Sequence, residues 1–280
     1  MKQYQLGLYE KAMPGELGWW EKLICAGEAG FDYVEISIDE TDAKLARLDW
    51  SAGERGHLVD LMEAAGVPVR SMCLSGHRKY PLGSHDAAVR ARGMEIMGKA
   101  VELAADLGIR TIQLAGYDVY YEQGDGDTRK YFQENLARSV ELAAAGGVTL
   151  GFETMETEFM NTVGKAMEHV KRVDSPYLGV YPDIGNITNA AKTYGTDVLA
   201  DLECGHGHLV AMHLKETVPG VFREVPFGAG HVDFPAAIEK AWSLGVRRYV
   251  AEMWYTGSED WKQDIARAHR MMAEILDRQK

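Results

Sequence analysis

Residues 209–216 read Leu-Val-Ala-Met-His-Leu-Lys-Glu, an apolar run that meets a histidine and then charge. A short apolar run bounded by polar residues is typical of a strand that is buried on both faces. Such a strand would present His213 at its C-terminal end. The stretch therefore predicts a buried strand whose end carries a chemically useful side chain.

Three further apolar runs stop in the same manner, each at a carboxylate. They are 147–152 before Glu153, 176–181 before Asp183, and 248–251 before Glu252. One histidine and three carboxylates at strand ends meet only if their strands are parallel and side by side, because parallel strands end on one side of a sheet. The pattern predicts a metal site at the mouth of a barrel.

Strand-like and helix-like stretches alternate along the whole chain and form eight strand–helix pairs. The predicted strands are 4–9, 33–38, 68–74, 110–115, 148–153, 177–182, 208–213 and 248–253. The predicted helices are 17–29, 54–65, 87–106, 128–145, 160–172, 195–204, 234–244 and 258–278. Such alternation indicates a parallel sheet with helices outside, and eight units favour closure. We therefore expect an α/β fold, a single (β/α)8 TIM-barrel domain over 1–280, with its active site at the C-terminal ends of the strands.

The composition narrows the class of protein. The chain has 280 residues, and barrels of this kind typically have about 250. Its formal net charge of −12 disfavours nucleic acid as a partner, because nucleic-acid binding depends on neutralising phosphates. No apolar run approaches the roughly 20 residues of a membrane helix, and the start lacks a signal-peptide core. The three cysteines are not closely spaced, which argues against a disulfide framework and favours the cytoplasm.

The four strand-end residues are spaced as βα units require: 183 − 153 = 30, 213 − 183 = 30 and 252 − 213 = 39. Three carboxylates and one imidazole form a hard, oxygen-rich donor set that suits Mn²⁺ or Mg²⁺, with Zn²⁺ and Co²⁺ also compatible. For any one of these residues alone, the alternative is an ordinary hydrogen-bonded side chain near a strand end. The shared placement of all four favours one divalent metal ion.

Several longer segments resemble a known family. They include Tyr-Glu-Lys-Ala at 9–12, Ser-Met-Cys-Leu-Ser at 71–75, His-Arg-Lys-Tyr-Pro-Leu-Gly-Ser at 77–84, 112–121, and Tyr-Pro-Asp-Ile-Gly-Asn at 181–186. The stretches 31–35, 39–42, 47–50, 159–161, 213–215 and 225–228 extend the match. The chain resembles the L-ribulose-5-phosphate 3-epimerase family of L-ascorbate degradation, whose members are also labelled hexulose-6-phosphate isomerases. This family lies within the xylose-isomerase-like barrel superfamily.

The resemblance implies specific site residues. In the wider group of ketose 3-epimerases the last four strands supply Glu, Asp, His and Glu to a metal, and these positions match Glu153, Asp183, His213 and Glu252. A substrate-binding arginine after the histidine strand matches Arg223. Two departures from the family pattern are Glu158 in place of proline and Glu216 in place of aspartate. Neither departure touches a metal ligand, but both bear on the identity of the substrate.

Epimerisation at C3 of a 2-ketose removes a proton next to a carbonyl and returns it to the other face. A metal bound by O2 and O3 would polarise the carbonyl and stabilise the enediolate charge. Glu153 and Glu252 leave from non-adjacent strands, so they are the candidate catalytic bases on opposite faces of C3.

A sugar phosphate also needs cations or backbone N–H groups. Lys11 after the first strand and His77 and Arg78 after the third are the candidates, with Arg223 and Asn186 as further substrate-binding residues. For each basic residue the alternative is a solvated surface charge. The loop 116–127 is aromatic, then acidic and glycine-rich, which fits either a lid or a solvated loop. We also expect a homo-oligomer, a dimer or higher.

Other functions stay open at this point. One is a 3-epimerase of free ketoses, and another is an aldose–ketose isomerase that moves hydrogen between C1 and C2. Endonucleases of the same superfamily act on damaged DNA, but they need more histidine ligands and a basic groove. A non-catalytic binding barrel would leave the strand-end residues unexplained. No Gly-x-Gly-x-x-Gly follows the first strand, so a dinucleotide cofactor is not expected.

Overall fold

The computed structural model describes residues 2–280, in which eight parallel strands alternate with α-helices. The strands are β1 Gln5–Tyr9, β2 Tyr33–Ile38, β3 Val69–Leu74, β4 Thr111–Ala115, β5 Thr149–Glu153, β6 Leu178–Tyr181, β7 Met212–Leu214 and β8 Arg248–Ala251. The helices are α1 Trp19–Glu28, α2 Asp42–Leu45, α3 Ala52–Ala65, α4 Ala87–Asp106, α5 Gly126–Ala145, α6 Val163–Val173, α7 Ile184–Tyr194, α8 Val198–Glu203, α9 Phe234–Ser243 and α10 Trp261–Leu276. None of the helices described is long and apolar enough to cross a membrane.

The strands form one sheet that closes on itself. Its order is β6-β5-β4-β3-β2-β1-β8-β7, with every pairing parallel. Parallel bridges from Val180 to Leu209 and from Asp183 to His213 join the two edges. The expected (β/α)8 barrel is therefore confirmed, and the C-terminal ends of all strands point to the same mouth.

Most predicted elements agree with the structure, and two differ. The predicted strand 33–38 and helix 87–106 coincide with β2 and α4. The strand predicted at 208–213 is wrong in its bounds, because β7 spans only Met212–Leu214. The helix predicted at 195–204 is also incomplete, since α7 precedes α8 and begins directly after Asp183. Asp183 is the N-cap of α7, and one of its side-chain oxygens accepts a hydrogen bond from the backbone N–H of Asn186 at 2.8 Å.

The barrel has two apolar layers of different composition. Aliphatic residues such as Val34 and Ile36 on β2 pack outward against the helices. Larger polar-tipped rings, including Tyr33 and Tyr181, fill the inside of the barrel. Gly7 on β1 makes room for one of them, because a Cβ at this position would lie 2.4 Å from the ring of Tyr33. The interior is thus packed below the mouth, and a site can form only above that packing.

Glu10, directly after β1, carries a buried carboxylate that forms ion pairs with three cationic side chains. Arg47 donates from Nη1 to Oε2 at 2.5 Å and from Nη2 to Oε1 at 2.8 Å. Lys22 lies 3.2 Å from Oε1, and Lys44 contacts the same oxygen. The backbone N–H of Ser37 donates to Oε2 at 2.8 Å. Although burial opposes ionisation, the cations, Arg47 foremost, hold the pKa of Glu10 far below its usual value.

We expect Glu10→Gln to lower the free energy of unfolding by about 3–5 kcal/mol, because it leaves three neighbouring cations without their carboxylate. Chemical denaturation at neutral pH measures the change. The control is Glu95→Gln, which removes a carboxylate from an exposed cluster with Arg92 and Lys99. That change should cost less than about 1 kcal/mol. Equal small losses in both variants would contradict the structural role of Glu10.

Candidate metal centre and substrate cavity

The structure brings together the four residues at which the predicted strands end. Glu153 is the last residue of β5, Asp183 follows β6, His213 lies in β7, and Glu252 directly follows β8. Each is buried and offers one ligand atom, and these atoms all lie within 4.8 Å of one another. Adjacent parallel strands therefore deliver one histidine and three carboxylates to a single point at the mouth of the barrel.

The two ring nitrogens of His213 face different partners. Nδ1 lies 3.1 Å from Oε2 of Glu252 and 3.4 Å from Oε1 of Glu153. Nε2 lies 2.7 Å from Oε1 of Glu35 on the opposite side of the barrel. Although burial opposes protonation, the carboxylates of Glu35 and Glu252 raise the pKa of His213 well above its usual value. The imidazole of His213 thus lies in a strongly negative electrostatic environment.

Burial destabilises the ionised carboxylates of this cluster unless a cation lies beside them. Burial raises the pKa of Asp183 to about 7, with Lys215 opposing the rise and Glu252 adding to it. Oε2 of Glu252 and Oδ2 of Asp183 are buried, and the nitrogens nearest to them, Nδ1 of His213 and Nζ of Lys215, do not make hydrogen bonds of acceptable geometry with them. Buried carboxylates require a compensating cation or proton, and three carboxylates beside an imidazole are a donor set for a hard divalent ion. The residues present therefore fit a metal.

Lys215, two residues beyond His213, is the cation that the structure itself provides. Its Nζ lies 2.7 Å from Oδ2 of Asp183 and donates to Oδ1 of Asn186 at 2.8 Å. Asn186 in turn donates from its side chain to the carbonyl oxygen of Thr154 at 2.7 Å. Asn186 therefore links the segments after β5, β6 and β7 around the cluster.

An open cavity lies above the cluster. Its lining residues are Tyr9, Lys11, Cys73, Ser75, Arg78, Glu153, Met155, Glu156, Asn186, Lys215, Phe222, Arg223, Glu252 and Trp254. Four of the five predicted substrate-binding residues, Lys11, Arg78, Asn186 and Arg223, are thus brought to one cavity. A second, adjoining cavity shares Lys215, Glu252 and Trp254 and extends towards Arg267.

Arg78 is the cation of this cavity whose charge is least compensated. Lys11 pairs with Asp39 at 2.5 Å, and Arg223 lies 3.7 Å from Glu156. Arg78 instead donates from Nη2 to the hydroxyl of Tyr117 at 3.3 Å, and its guanidinium lies 4.8 Å from the ring centre of Tyr120. Its Nε is buried without a hydrogen-bond partner among the described residues.

The loop 116–127 lies against the cavity. The hydroxyl of Tyr117 donates to Glu156 at 2.7 Å, and that of Tyr120 does so at 3.3 Å. Both tyrosines thus contact Arg78 and Glu156, which line the cavity. The aromatic part of the loop therefore packs directly behind the cavity lining.

Glu216 organises the loop that carries Arg223. Its carboxylate accepts hydrogen bonds from the backbone N–H groups of Gly228 at 3.0 Å and Val232 at 3.2 Å. A Cβ at Gly230 would lie 2.2 Å from Oε1 of Glu216, so the loop folds tightly around this carboxylate. Glu216, which replaces the aspartate of the family pattern, thus determines how the loop that carries Arg223 is folded.

His77 is not brought to the cavity. It is buried beside α4, and its Nε2 lies 3.0 Å from the carbonyl oxygen of Gly93. Burial lowers the pKa of His77 to about 4. The structure therefore places a neutral imidazole there, acting as a donor that anchors the segment after β3.

We expect His77 to make stability depend on pH. Its folded-state pKa of about 4 lies below the ordinary value of 6.5, so below pH 6.5 the unfolded chain takes up a proton that the folded protein refuses. The contribution is complete above pH 6.5 and is lost as the pH falls towards 4, by about 3 kcal/mol in total. Denaturation of metal-free protein between pH 4 and 7 should show a flatter profile for His77→Gln than for the unaltered protein. Parallel profiles would contradict this role.

Sequence reasoning did not assign roles to four residues that the structure places at the site. They are Glu35, Gln113, Glu156 and Lys215. Gln113 donates from its side-chain amide to Glu153. For Glu35 and Gln113 a signal was present, because each is a large polar residue in the middle of a mostly apolar strand.

The fold and the site define a (β/α)8 barrel with an acidic, histidine-containing cluster at its mouth. The sequence model of the xylose isomerase-like TIM barrel family matches residues 25–275. The L-ribulose-5-phosphate 3-epimerase UlaE of Escherichia coli is 48% identical over 268 residues, which cover 95% of this chain and 93% of that protein. The protein of the same name from Shigella boydii shows the same identity and coverage. The chain therefore belongs to the xylose isomerase-like TIM barrel family and, within it, to the L-ribulose-5-phosphate 3-epimerase family, which confirms the resemblance seen in the sequence.

Solved structures agree on the fold. A structure of L-ribulose 3-epimerase has a TM-score of 0.78 at 21% identity and covers 98% of this chain and 95% of its own. The D-allulose 3-epimerase from Methylomonas sp. has a TM-score of 0.80 at 18% identity, with coverage of 98% and 99%. At such identities the likeness supports the barrel and does not bear on the substrate.

Proposed function

We propose that this protein is a metal-dependent 3-epimerase that interconverts L-ribulose 5-phosphate and L-xylulose 5-phosphate. The observation that carries the proposal is the buried cluster of three carboxylates and one histidine beneath a cavity lined by cations. The relatives named L-ribulose-5-phosphate 3-epimerase, at 48% identity over 95% of the chain, support the same substrate. The resemblance places this reaction in L-ascorbate degradation.

The four clustered residues would hold one divalent ion, of which Mn²⁺, Mg²⁺, Zn²⁺ and Co²⁺ all suit the donors. Such an ion supplies polarisation of the ketose carbonyl and stabilisation of the negative charge that develops when C3 loses its proton. One of Glu153 and Glu252, ionised, removes that proton, and the other, protonated, delivers a proton to the opposite face of C3; exchange with solvent restores both for the next turnover. Gln113 orients Glu153 by donating to its carboxylate.

Arg78 is the principal contact for the phosphate in this proposal, with Lys11 beside it in the cavity lining. A partly buried guanidinium with an unpartnered Nε provides strong, directional donors for a phosphate. Arg223, on the loop anchored by Glu216, contacts a sugar oxygen. The free ketose remains the alternative substrate, which differs by the absence of this charged group.

The direct test supplies purified, metal-loaded protein with L-ribulose 5-phosphate and identifies the product. L-Xylulose 5-phosphate is expected. An aldose product would indicate an aldose–ketose isomerase, and turnover of L-ribulose alone would indicate an epimerase of free ketoses. Absence of any sugar product would contradict the proposal.

We expect the unaltered protein to bind one Mn²⁺ per chain after chelation and dialysis, and His213→Ala to bind it much more weakly because the only nitrogen donor of the set is lost. Metal analysis and calorimetry measure the difference. His206→Ala, at an exposed position, is the matched control. Equal Mn²⁺ binding by His213→Ala and the control would contradict the metal centre.

We propose a cytoplasmic homo-oligomer that acts on a small sugar phosphate and does not bind nucleic acid. The net charge of −12 supports the last point. Sedimentation of the purified protein tests the oligomeric state.

A further inference from the structure

Glu35 is a carboxylate inside the barrel that the proposed reaction does not use. It lies at the centre of β2 and is fully buried, as is His213. Its Oε1 lies 2.7 Å from Nε2 of His213, while Oε2 accepts hydrogen bonds from the hydroxyls of Ser71 at 2.7 Å and Tyr181 at 3.0 Å. Three donors from β3, β6 and β7 thus converge on one side chain of β2.

The backbone is adjusted at this residue. The pairing between β2 and β3 shifts register between Val34 and Glu35, which sets Glu35 opposite Ser71. Irregularities of this kind re-aim side chains next to active sites. Since a buried anion is stable only when it is paired and hydrogen-bonded, Ser71 and Tyr181 stabilise one oxygen and leave the other for His213.

The contact has a consequence for the histidine. When a carboxylate holds one ring nitrogen of a histidine as an N–H donor, the other nitrogen carries the lone pair and becomes the metal donor. Nδ1 of His213 faces Glu153 and Glu252, whereas Nε2 faces Glu35. The ligand-forming nitrogen is thus the one turned towards the carboxylates of the metal site.

We propose that Glu35 is a positioning residue that fixes His213 with its proton on Nε2, so that Nδ1 binds the metal, and that makes this nitrogen a stronger donor. The inference rests on the metal centre proposed above. It concerns a residue on the far side of the barrel that belongs neither to the metal cluster nor to the cavity lining. Its effect therefore appears first in metal affinity.

The test is calorimetric titration of Mn²⁺ into chelator-treated protein without sugar. Glu35→Gln is expected to bind Mn²⁺ about 10–100-fold more weakly than the unaltered protein. Ser71→Ala is the matched control, because it removes a neighbour of Glu35 but keeps the carboxylate and its contact with His213. It should change the affinity by less than about threefold. Unchanged affinity in Glu35→Gln, or an equal loss in Ser71→Ala, would overturn the inference.

A second measurement needs no variant at position 35. Nitrogen-15 NMR of the Zn²⁺-loaded, unaltered protein reports which ring nitrogen of His213 bears the proton, with the resonances assigned by their absence in His213→Gln. A protonated Nε2 and a metal-shifted Nδ1 are expected, and the reverse would overturn the inference. Neither the titration nor the NMR measurement uses a sugar. Both can therefore be interpreted even if the protein does not epimerise L-ribulose 5-phosphate. Failure of the unaltered protein to bind any metal would instead contradict the metal centre and this inference with it.

Discussion

Glu153→Gln and Glu252→Gln, each loaded with Mn²⁺, are expected to epimerise L-ribulose 5-phosphate about 10²–10⁴-fold more slowly than the unaltered protein. Glutamine keeps nearly the shape of glutamate but cannot take up the C3 proton. Both carboxylates lie within reach of one point, from strands β5 and β8, which are separated by the strands of Asp183 and His213. A sugar over the cluster would therefore have one glutamate on each side.

Turnover must be measured at saturating Mn²⁺, with the bound metal quantified, because each glutamate is also a proposed ligand. Glu259→Gln, an exposed residue on the loop after β8, is the control and should be fully active. Normal turnover by either metal-loaded variant would remove that glutamate from the proton transfer.

Turnover in deuterated water distinguishes the roles of the two glutamates in proton transfer. Deprotonation at C3 followed by return of a solvent-exchanged proton should place deuterium at C3 of the product. A variant with one remaining base exchanges the C3 proton of one epimer without inverting it, so the two variants should favour opposite epimers. Products free of solvent deuterium would count against two carboxylates with exchangeable protons.

The four clustered residues could be located from sequence because of a property of parallel barrels. Side chains at the C-terminal ends of the strands share one face whatever the loops do, so an apolar run followed by a carboxylate or histidine carries positional information. Glu153, Asp183, His213 and Glu252 each have that signature. Once the sequence was divided into eight parallel strands, the convergence of these four residues at one mouth followed.

Contacts that cross the barrel could not be read in the same manner. Glu35 is 178 residues from His213, and nothing in either local sequence states that β2 faces β7 across the interior. Lys215 presented a related difficulty, since a charge at a strand end is equally consistent with solvent. Only the folded barrel shows that its ammonium reaches Asp183.

The basic run at 77–79 shows why neighbours in sequence are poor guides to a shared role. A 3-10 helix at Ser75–Arg78 turns the chain sharply, and successive side chains leave in different directions. His77 enters the core, Arg78 lines the cavity, and Lys79 remains 46% exposed with Asp42 at 3.6 Å. The sequence predicted His77 and Arg78 beside the phosphate, whereas the structure brings only Arg78 to the cavity.

Arg78→Ala is expected to reduce kcat/KM for L-ribulose 5-phosphate by about 30-fold or more while changing that for L-ribulose by less than about threefold, because a charge-assisted pair with phosphate contributes roughly 2 kcal/mol or more. The guanidinium is partly buried, its Nε has no partner among the described residues, and it lacks the carboxylate that Lys11 has in Asp39. Phosphate would therefore be the first anion in direct contact with it. Arg78→Lys should recover only part of the loss, since a single ammonium cannot reproduce the planar fork of donors.

The matched control lies on the other side of the same mouth. Arg267 lines the adjoining cavity beside Asp264, so a phosphate directed to that side would depend on Arg267 and not on Arg78. We expect Arg267→Ala to leave the preference for the phosphorylated sugar unchanged. Equal losses for both sugars in Arg78→Ala would show that the residue supports the cavity wall with Tyr117 and Tyr120 and does not read the phosphate. Loss of the preference in Arg267→Ala alone would place the phosphate in the adjoining cavity.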